Sequence, residues 1–160
     1  MSDRDESDAS AERQREAARW LAIAADDARV ARACLGMAQP ALGIAAYHCQ
    51  QAAEKLTKGL LIVAGAGFPR THDLAELAVQ ASPLYPDLKP LLEAMAPLTV
   101  WNIAYRYPGI EEDDEPDPTP QALRNALTAI DALVQRLAAL VQPGGPAEGG
   151  DFVGPVRPID

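Results

Sequence analysis

The stretch YHCQQAAEKLTKGLLIVAG, Tyr47 to Gly65, decides how the chain reads. Ala45, Cys49, Ala52, Leu56 and Val63 recur at helical spacing with Leu60 beside them, an apolar stripe wide enough to face a core. The spacing predicts one long helix. Next to the stripe stand Tyr47, His48, Gln50, Gln51, Glu54, Lys55 and Lys58. Tyr47, Gln51, Glu54 and Lys58 follow at intervals of four, three and four, so they share one helix face. Two readings of that face stand side by side. It is a solvated flank carrying one Glu-to-Lys pair, worth about 0.2–0.5 kcal/mol. Or it is a pre-organised polar patch in which a cation holds Glu54, because an unpaired carboxylate at the edge of a helix contact is expensive.

Working outward, every other segment also reads as helix, turn or tail. Met1 to Ser10 is acidic and polar and is expected to be a disordered tail. A first helix follows from Ala11, with Ser10 as N-cap, and stops at Gly36. Ala17, Leu21, Ala24, Ala28, Ala31 and Leu35 form its inner stripe, flanked by Trp20, Ile23, Val30 and Cys34, and Asp26, Asp27, Arg29 and Arg32 are expected to point outward. Pro40 suits the first turn of the central helix, which ends at Gly65-Ala66-Gly67. Phe68 is expected to bury its ring and Thr71 to cap a short third helix that Ser82-Pro83 ends. A fourth helix runs from Pro90 to about Tyr107 with a kink at Pro97, and Ile110 to Pro118 is an exposed acidic loop. Thr119-Pro120 then starts a last helix, where Leu123, Leu127, Ile130, Val134, Leu137 and Val141 make the cleanest heptad in the chain. From Gln142 the Pro- and Gly-rich composition reads as a disordered tail. The expected architecture is all-α: one domain over residues 11–141, a four-helix up-and-down bundle with a short additional helix.

Composition narrows the function classes. The 160 residues carry a net charge of −9, and two acidic stretches account for all of it. Met1–Ser10 contributes three net negative charges and the run from Glu111 to Asp117 contributes six. A duplex-binding protein needs a basic footprint and none is visible, so DNA is not an expected partner. No run approaches the ~20 apolar residues of a membrane span, and the N-terminus is no signal peptide, so the cytoplasm is the expected location. Cys34 and Cys49 lack metal-ligand spacing and are expected to be thiols within helices. His48 and His72 are the only histidines, neither in a ligand pattern, and no metal or cofactor is expected. Gly65-x-Gly67 precedes Phe-Pro rather than a phosphate-gripping helix, so it is a turn.

The stretch AAYHCQQAAEKLTKGLL followed by FPRTHDLAELA resembles the signature of the HEPN domain, the "higher eukaryotes and prokaryotes nucleotide-binding" family. WLAIAADDARVA, Trp20 to Ala31, is similar to that family's first helix, and AYRYPG, Ala104 to Gly109, to the end of its fourth. The likeness runs from about Arg15 to Val141. It implies a helical bundle that forms a homodimer, a nucleotide or RNA-related role, and often a small nucleotidyltransferase partner in a two-component, toxin–antitoxin-like system. It also places His72 and Arg106 among the signature residues. The family's ribonucleases carry an Arg followed four to six residues later by His near the start of the last helix. Arg106 to Leu123 contains no His, and Arg70-Thr71-His72 has the wrong spacing in the wrong helix.

The sequence therefore leads to a non-catalytic HEPN module binding a nucleotide, a nucleotidyltransferase partner, or both. The ligand- or partner-binding residues expected are Tyr47, His48, Gln51, Glu54, Lys58, His72 and Arg106, with none catalytic. The alternative is an atypical HEPN ribonuclease toxin working without the usual Arg-His motif.

Overall fold

The computed structural model describes residues 2–102 and 118–142, all helices and turns with no strand among them. The helices are α1 (Asp3–Leu35), α2 (Leu42–Val63), α3 (Leu74–Ala81), α4 (Lys89–Met95) and α5 (Pro120–Val141). A 3-10 turn, Pro86–Leu88, leads into α4, and a 3-10 stretch, Ala96–Asn102, continues it.

Contacts along the helices fix their directions. Arg13 near the start of α1 lies over Gly65 just past α2, and at the other end the Ala41 amide donates to the Cys34 carbonyl at 3.1 Å. The two helices therefore run antiparallel. From Tyr85, whose hydroxyl donates to the Leu60 carbonyl at 2.9 Å, the chain climbs back along α2 until Asn102 stands beside Gln51. α5 then descends beside α1, Asp131 meeting Arg32 and Val141 lying near Ala11 and Ala18. The order is up, down, up, down, with α3 in the second connection. The fold is the expected all-α bundle.

α2 is the axis of the bundle, packed against α1, α3, the 3-10 stretch and α5. Every residue from Leu56 to Ile62 is buried. Gly59 shows how tightly: a Cβ there would stand 2.6 Å from Leu137 Cδ2 of α5. That approach explains a glycine inside a helix, where it costs about 1 kcal/mol of propensity relative to alanine. α1 makes its contact with α2 through helices rich in buried alanine: Ala17, Ala24, Ala28 and Ala31 on α1, Ala45 and Ala52 on α2. Small side chains on both helices permit the close approach.

Several boundaries differ from expectation for local reasons. α1 begins at Asp3 rather than Ala11, so residues 3–10 are helical and not a disordered tail. The Asp5 carboxylate accepts from the Ser2 amide and hydroxyl at 3.2 and 2.9 Å, and Asp3, Asp5 and Glu6 sit at the positive end of the helix dipole. Acidity that reads as disorder is here a start signal. Pro40 precedes α2 instead of entering its first turn; the N-cap is Ala41. Thr71 does not cap α3. Asp73 does, accepting from the Ala75 and Glu76 amides, while Thr71 Oγ1 accepts from the Asp73 amide at 3.0 Å. Pro97 does not kink one long helix: α-helical bonding stops at Met95 and a tighter 3-10 winding carries Pro97. Thr119 caps α5 as expected, with Pro120 at its first position, and Leu123, Leu127, Ile130 and Leu137 reach the core. Ile103, Tyr105, Arg106 and Tyr107, the acidic run 110–117 and the tail from 143 onward lie outside the described residues.

Cys34 and Cys49 are free thiols. Burial pushes Cys49 up to about 12, against a weaker opposing pull from the Arg32 charge, which leaves it an unreactive packing group. No helix among the described residues is long and apolar enough to cross a membrane.

Candidate functional site

Two polar networks grow from the outer side of α2, each built on a buried carboxylate. The first centres on Glu54, only 5% exposed. Its Oε1 lies 2.7 Å from Lys58 Nζ and its Oε2 3.0 Å from Gln50 Nε2, both one turn away on α2. The third partner comes from the connection to α3: His72 Nδ1 stands 3.1 Å from Oε2. Gln50 also donates to the His72 carbonyl at 3.3 Å, so one α2 residue fixes that histidine's backbone while Glu54 fixes its ring. Lys58 is 7% exposed and its ammonium lies 5.4 Å from the centre of the Phe68 ring. Phe68 is half-buried and meets Trp20 of α1 edge to face at 6.0 Å. The same aromatic edge thus covers the lysine and anchors the connection.

Burial pushes the Glu54 carboxyl up, but hydrogen bonds from Lys58, Gln50 and His72, with the Lys58 charge, outweigh it and hold the group below its ordinary value. A carboxyl depressed in the folded state contributes stability that is full above the unfolded value, about 4.3, and is lost as pH falls through the folded one. Glu54→Gln is therefore expected to be less stable than the parent at pH 7, and the two urea midpoints to converge as pH drops below about 4. Unfolding curves at pH 7, 5, 4 and 3 check this, and a constant gap across the series would refute it.

The second network is one that sequence reasoning missed. Asp27 of α1, expected to point outward, is 9% exposed and turned toward α2. His48 Nδ1 lies 2.8 Å from its Oδ1, and Lys55 Nζ pairs with its Oδ2. Asp27 falls between Ala24 and Ala28 on the buried side of α1, and that register was the available signal. His48 and Lys55, seven residues apart on α2, grip one carboxylate from both oxygens. The Tyr47 ring stands edge-on to His48 at 5.2 Å.

Gln51 joins the Glu54 network to the end of the third ascending segment. Its amide donates to Gln50 Oε1 at 2.8 Å and toward Asn102 Oδ1 at 3.4 Å. Of the seven residues expected to form the site, Gln51, Glu54, Lys58 and His72 meet in the first network. His48, with Tyr47 against it, belongs to the second. Gln50, Asp27, Lys55 and Asn102 complete them. Arg106 lies outside the described residues.

A family model described as the HEPN domain matches residues 17–139. The chain belongs to the HEPN family. No curated protein and no solved structure matches it. In this HEPN domain the turn at Gly65, with a positive φ of 70°, returns the chain so that His72 reaches Glu54 of α2, while Asp73 caps α3. Among the described residues no group of three or more His, Cys, Asp or Glu is placed to hold a metal ion.

Proposed function

We propose that this HEPN protein is a non-catalytic recognition module, homodimeric and located in the cytoplasm. It binds a nucleotide, a small nucleotidyltransferase partner, or both, in a two-component, toxin–antitoxin-like system. One observation carries the reading. The buried carboxylates on the α2 face are satisfied internally, Glu54 by Lys58, Gln50 and His72, and Asp27 by His48 and Lys55. Charges held this way make a rigid polar surface without spending a residue on chemistry. Gln51, Tyr47 and the outer edge of His72 are then the groups that meet a ligand, with their orientation fixed before it arrives. The absence of His between Arg106 and Leu123 points the same way, since proton transfer near neutral pH is histidine's task in the family's nucleases.

A single feature favours the ribonuclease alternative. The His72 side chain is 68% exposed while its Nδ1 is held by a buried carboxylate, an arrangement that fixes the tautomer and turns Nε2 outward. One experiment separates the two. Melting curves are recorded with a panel of nucleoside mono-, di- and triphosphates, since a ligand of the native state raises stability by about 2.7 kcal/mol at a hundred times its Kd. The same preparation is incubated with RNA. The proposal expects a shift that Gln51→Ala diminishes and no cleavage. Cleavage lost in His72→Gln establishes the alternative instead.

A further inference from the structure

α1 outruns the rest of the bundle. Arg13 already lies over Gly65, past the end of α2, so the turns from Asp3 to Glu12 project beyond that helix. Residues 2–9 are all exposed. Where the overhang begins, Ala11, Gln14, Arg15 and Ala18 form a groove of about 260 Å³ with Val141, the last residue of α5. Arg15 and Arg19 share a single carboxylate beside it, Glu12, at 2.8 and 3.8 Å, which leaves one positive charge without a partner. Farther out the sign reverses, because Asp3, Asp5, Glu6 and Asp8 outnumber Arg4.

We propose that this groove takes the chain's own Phe152, with the segment from Asp151 to Arg157 running along α1 toward Asp3. Position selects the occupant. The chain leaves α5 at Gln142, next to the Val141 that walls the groove, and Phe152 follows ten residues on. A Gly-rich linker of that length spans about 17 Å on average, so the groove lies within its reach. Pro143 to Gly150 contains four glycines and two prolines, the composition that reverses a chain. Tethering matters as much as reach. One aromatic ring in a shallow groove is too small a contact to hold a separate molecule, but on a short tether its effective concentration is of the order of millimolar.

Charge sets the direction. With Phe152 seated, Asp151 stands at the Arg15 and Arg19 edge, where a positive charge lacks a partner. Arg157 lies five residues farther on, about 16 Å in extended chain, and Pro155 and Pro158 keep the residues before them extended. Asp5 and Asp8 precede the centre of the groove by about 10–14 Å along the helix, so Arg157 arrives among acids. The opposite direction would carry Arg157 past Arg19 and turn Asp151 toward Asp8, like charges at both ends. The segment covers turns of α1 that no other described element covers.

Disulfide trapping in the full chain tests this, in a Cys34→Ser background with Cys49 buried. Gly154→Cys is combined with Ser7→Cys, one turn before Ala11 on the side of the groove, or with Ala9→Cys on the opposite side of α1; Ser7 and Ala9 are both exposed. The Ser7 pair is expected to close about tenfold faster than the Ala9 pair, at the mass of one chain, 17.0 kDa, and adding Phe152→Ser is expected to abolish the preference. Equal rates, or a preference that survives Phe152→Ser, overturn the proposal. Disulfides that form only between two chains overturn it as well and give the groove to a neighbouring copy's segment. Hydrogen exchange supplies a reading free of added cysteines. Amides of residues 3–10 are expected to exchange about threefold faster in Phe152→Ser than in the parent, and unchanged exchange overturns the docking.

Discussion

Lys58→Ala is expected to lower the unfolding free energy by about 3–5 kcal/mol, the penalty for leaving a buried charge without its partner. Gln50 and His72 stay on Glu54 in that variant, which holds the loss to the lower part of that range. Glu54 and Lys58 are both more than nine-tenths buried, their atoms 2.7 Å apart, and the lysine ammonium also lies over the Phe68 ring. Alanine removes the charge and the packing together, so a second variant separates them. Lys58→Met keeps an apolar stem of similar length and is expected to recover the packing share only. Glu54→Gln with Lys58→Met removes both charges at once and is expected to return close to the parent, because replacing a whole buried pair is nearly neutral while breaking it is not. Urea unfolding of the parent, Glu54→Gln, Lys58→Met and the double variant closes the cycle. If Lys58→Ala costs under about 1 kcal/mol, the pair behaves as a surface contact and the buried network is not structural.

Gly59→Val is the second large effect. Alanine at this position would gain about 1 kcal/mol of helix propensity, and in an isolated helix the change would stabilise. In the bundle its Cβ meets Leu137 Cδ2 at 2.6 Å, and Leu137 is fully buried on the facing side of α5. Overfilling a packed contact costs about 1–3 kcal/mol, so Gly59→Ala is expected to lose stability on balance and Gly59→Val to lose about 3 kcal/mol. The decisive comparison is with Leu137→Ala, which alone is expected to cost about 2–5 kcal/mol through the cavity it opens. Joined to Gly59→Val it should cost clearly less than the sum, since the valine enters the vacated space. Additive losses would show that the contact between α2 and α5 is not what keeps this position a glycine.

What could be read from the residues follows which interactions are local. Helix existence was legible because Ala45, Cys49, Ala52 and Leu56 repeat at helical spacing, and the start of α5 because Thr119-Pro120 states its own cap. The Glu54–Lys58 pair was legible because both partners sit on one helix a turn apart. Asp27 was misplaced for the opposite reason. Its partners are 21 and 28 residues away, so only the packing of α1 on α2 turns it inward, while a charged residue taken alone is assigned to solvent. The α1 start was lost because acidity near a terminus reads as disorder when the capping geometry of Ser2 and Asp5 cannot be seen. The third ascending segment was half right. Pro97 signalled an interruption, but which interruption depends on how Leu98 and Trp101 find the core, and that is decided by tertiary contact.

The antiparallel α1–α2 hairpin also bears on the order in which the molecule forms. Its largest internal contact is made between segments joined by the turn 36–41 alone, so the closure entropy of that loop is small. Contacts of low sequence separation tend to form early, so the seam between these helices is expected to act as the nucleus on which the remainder condenses. α5 must instead find Gly59 with Leu137 across a separation several times longer. Substitutions in the α1–α2 seam are therefore expected to slow folding and those at the α5 seam chiefly to hasten unfolding, which stopped-flow refolding and unfolding rates would show. On a ribosome vectorial synthesis favours the same order, since the hairpin is synthesised before α5.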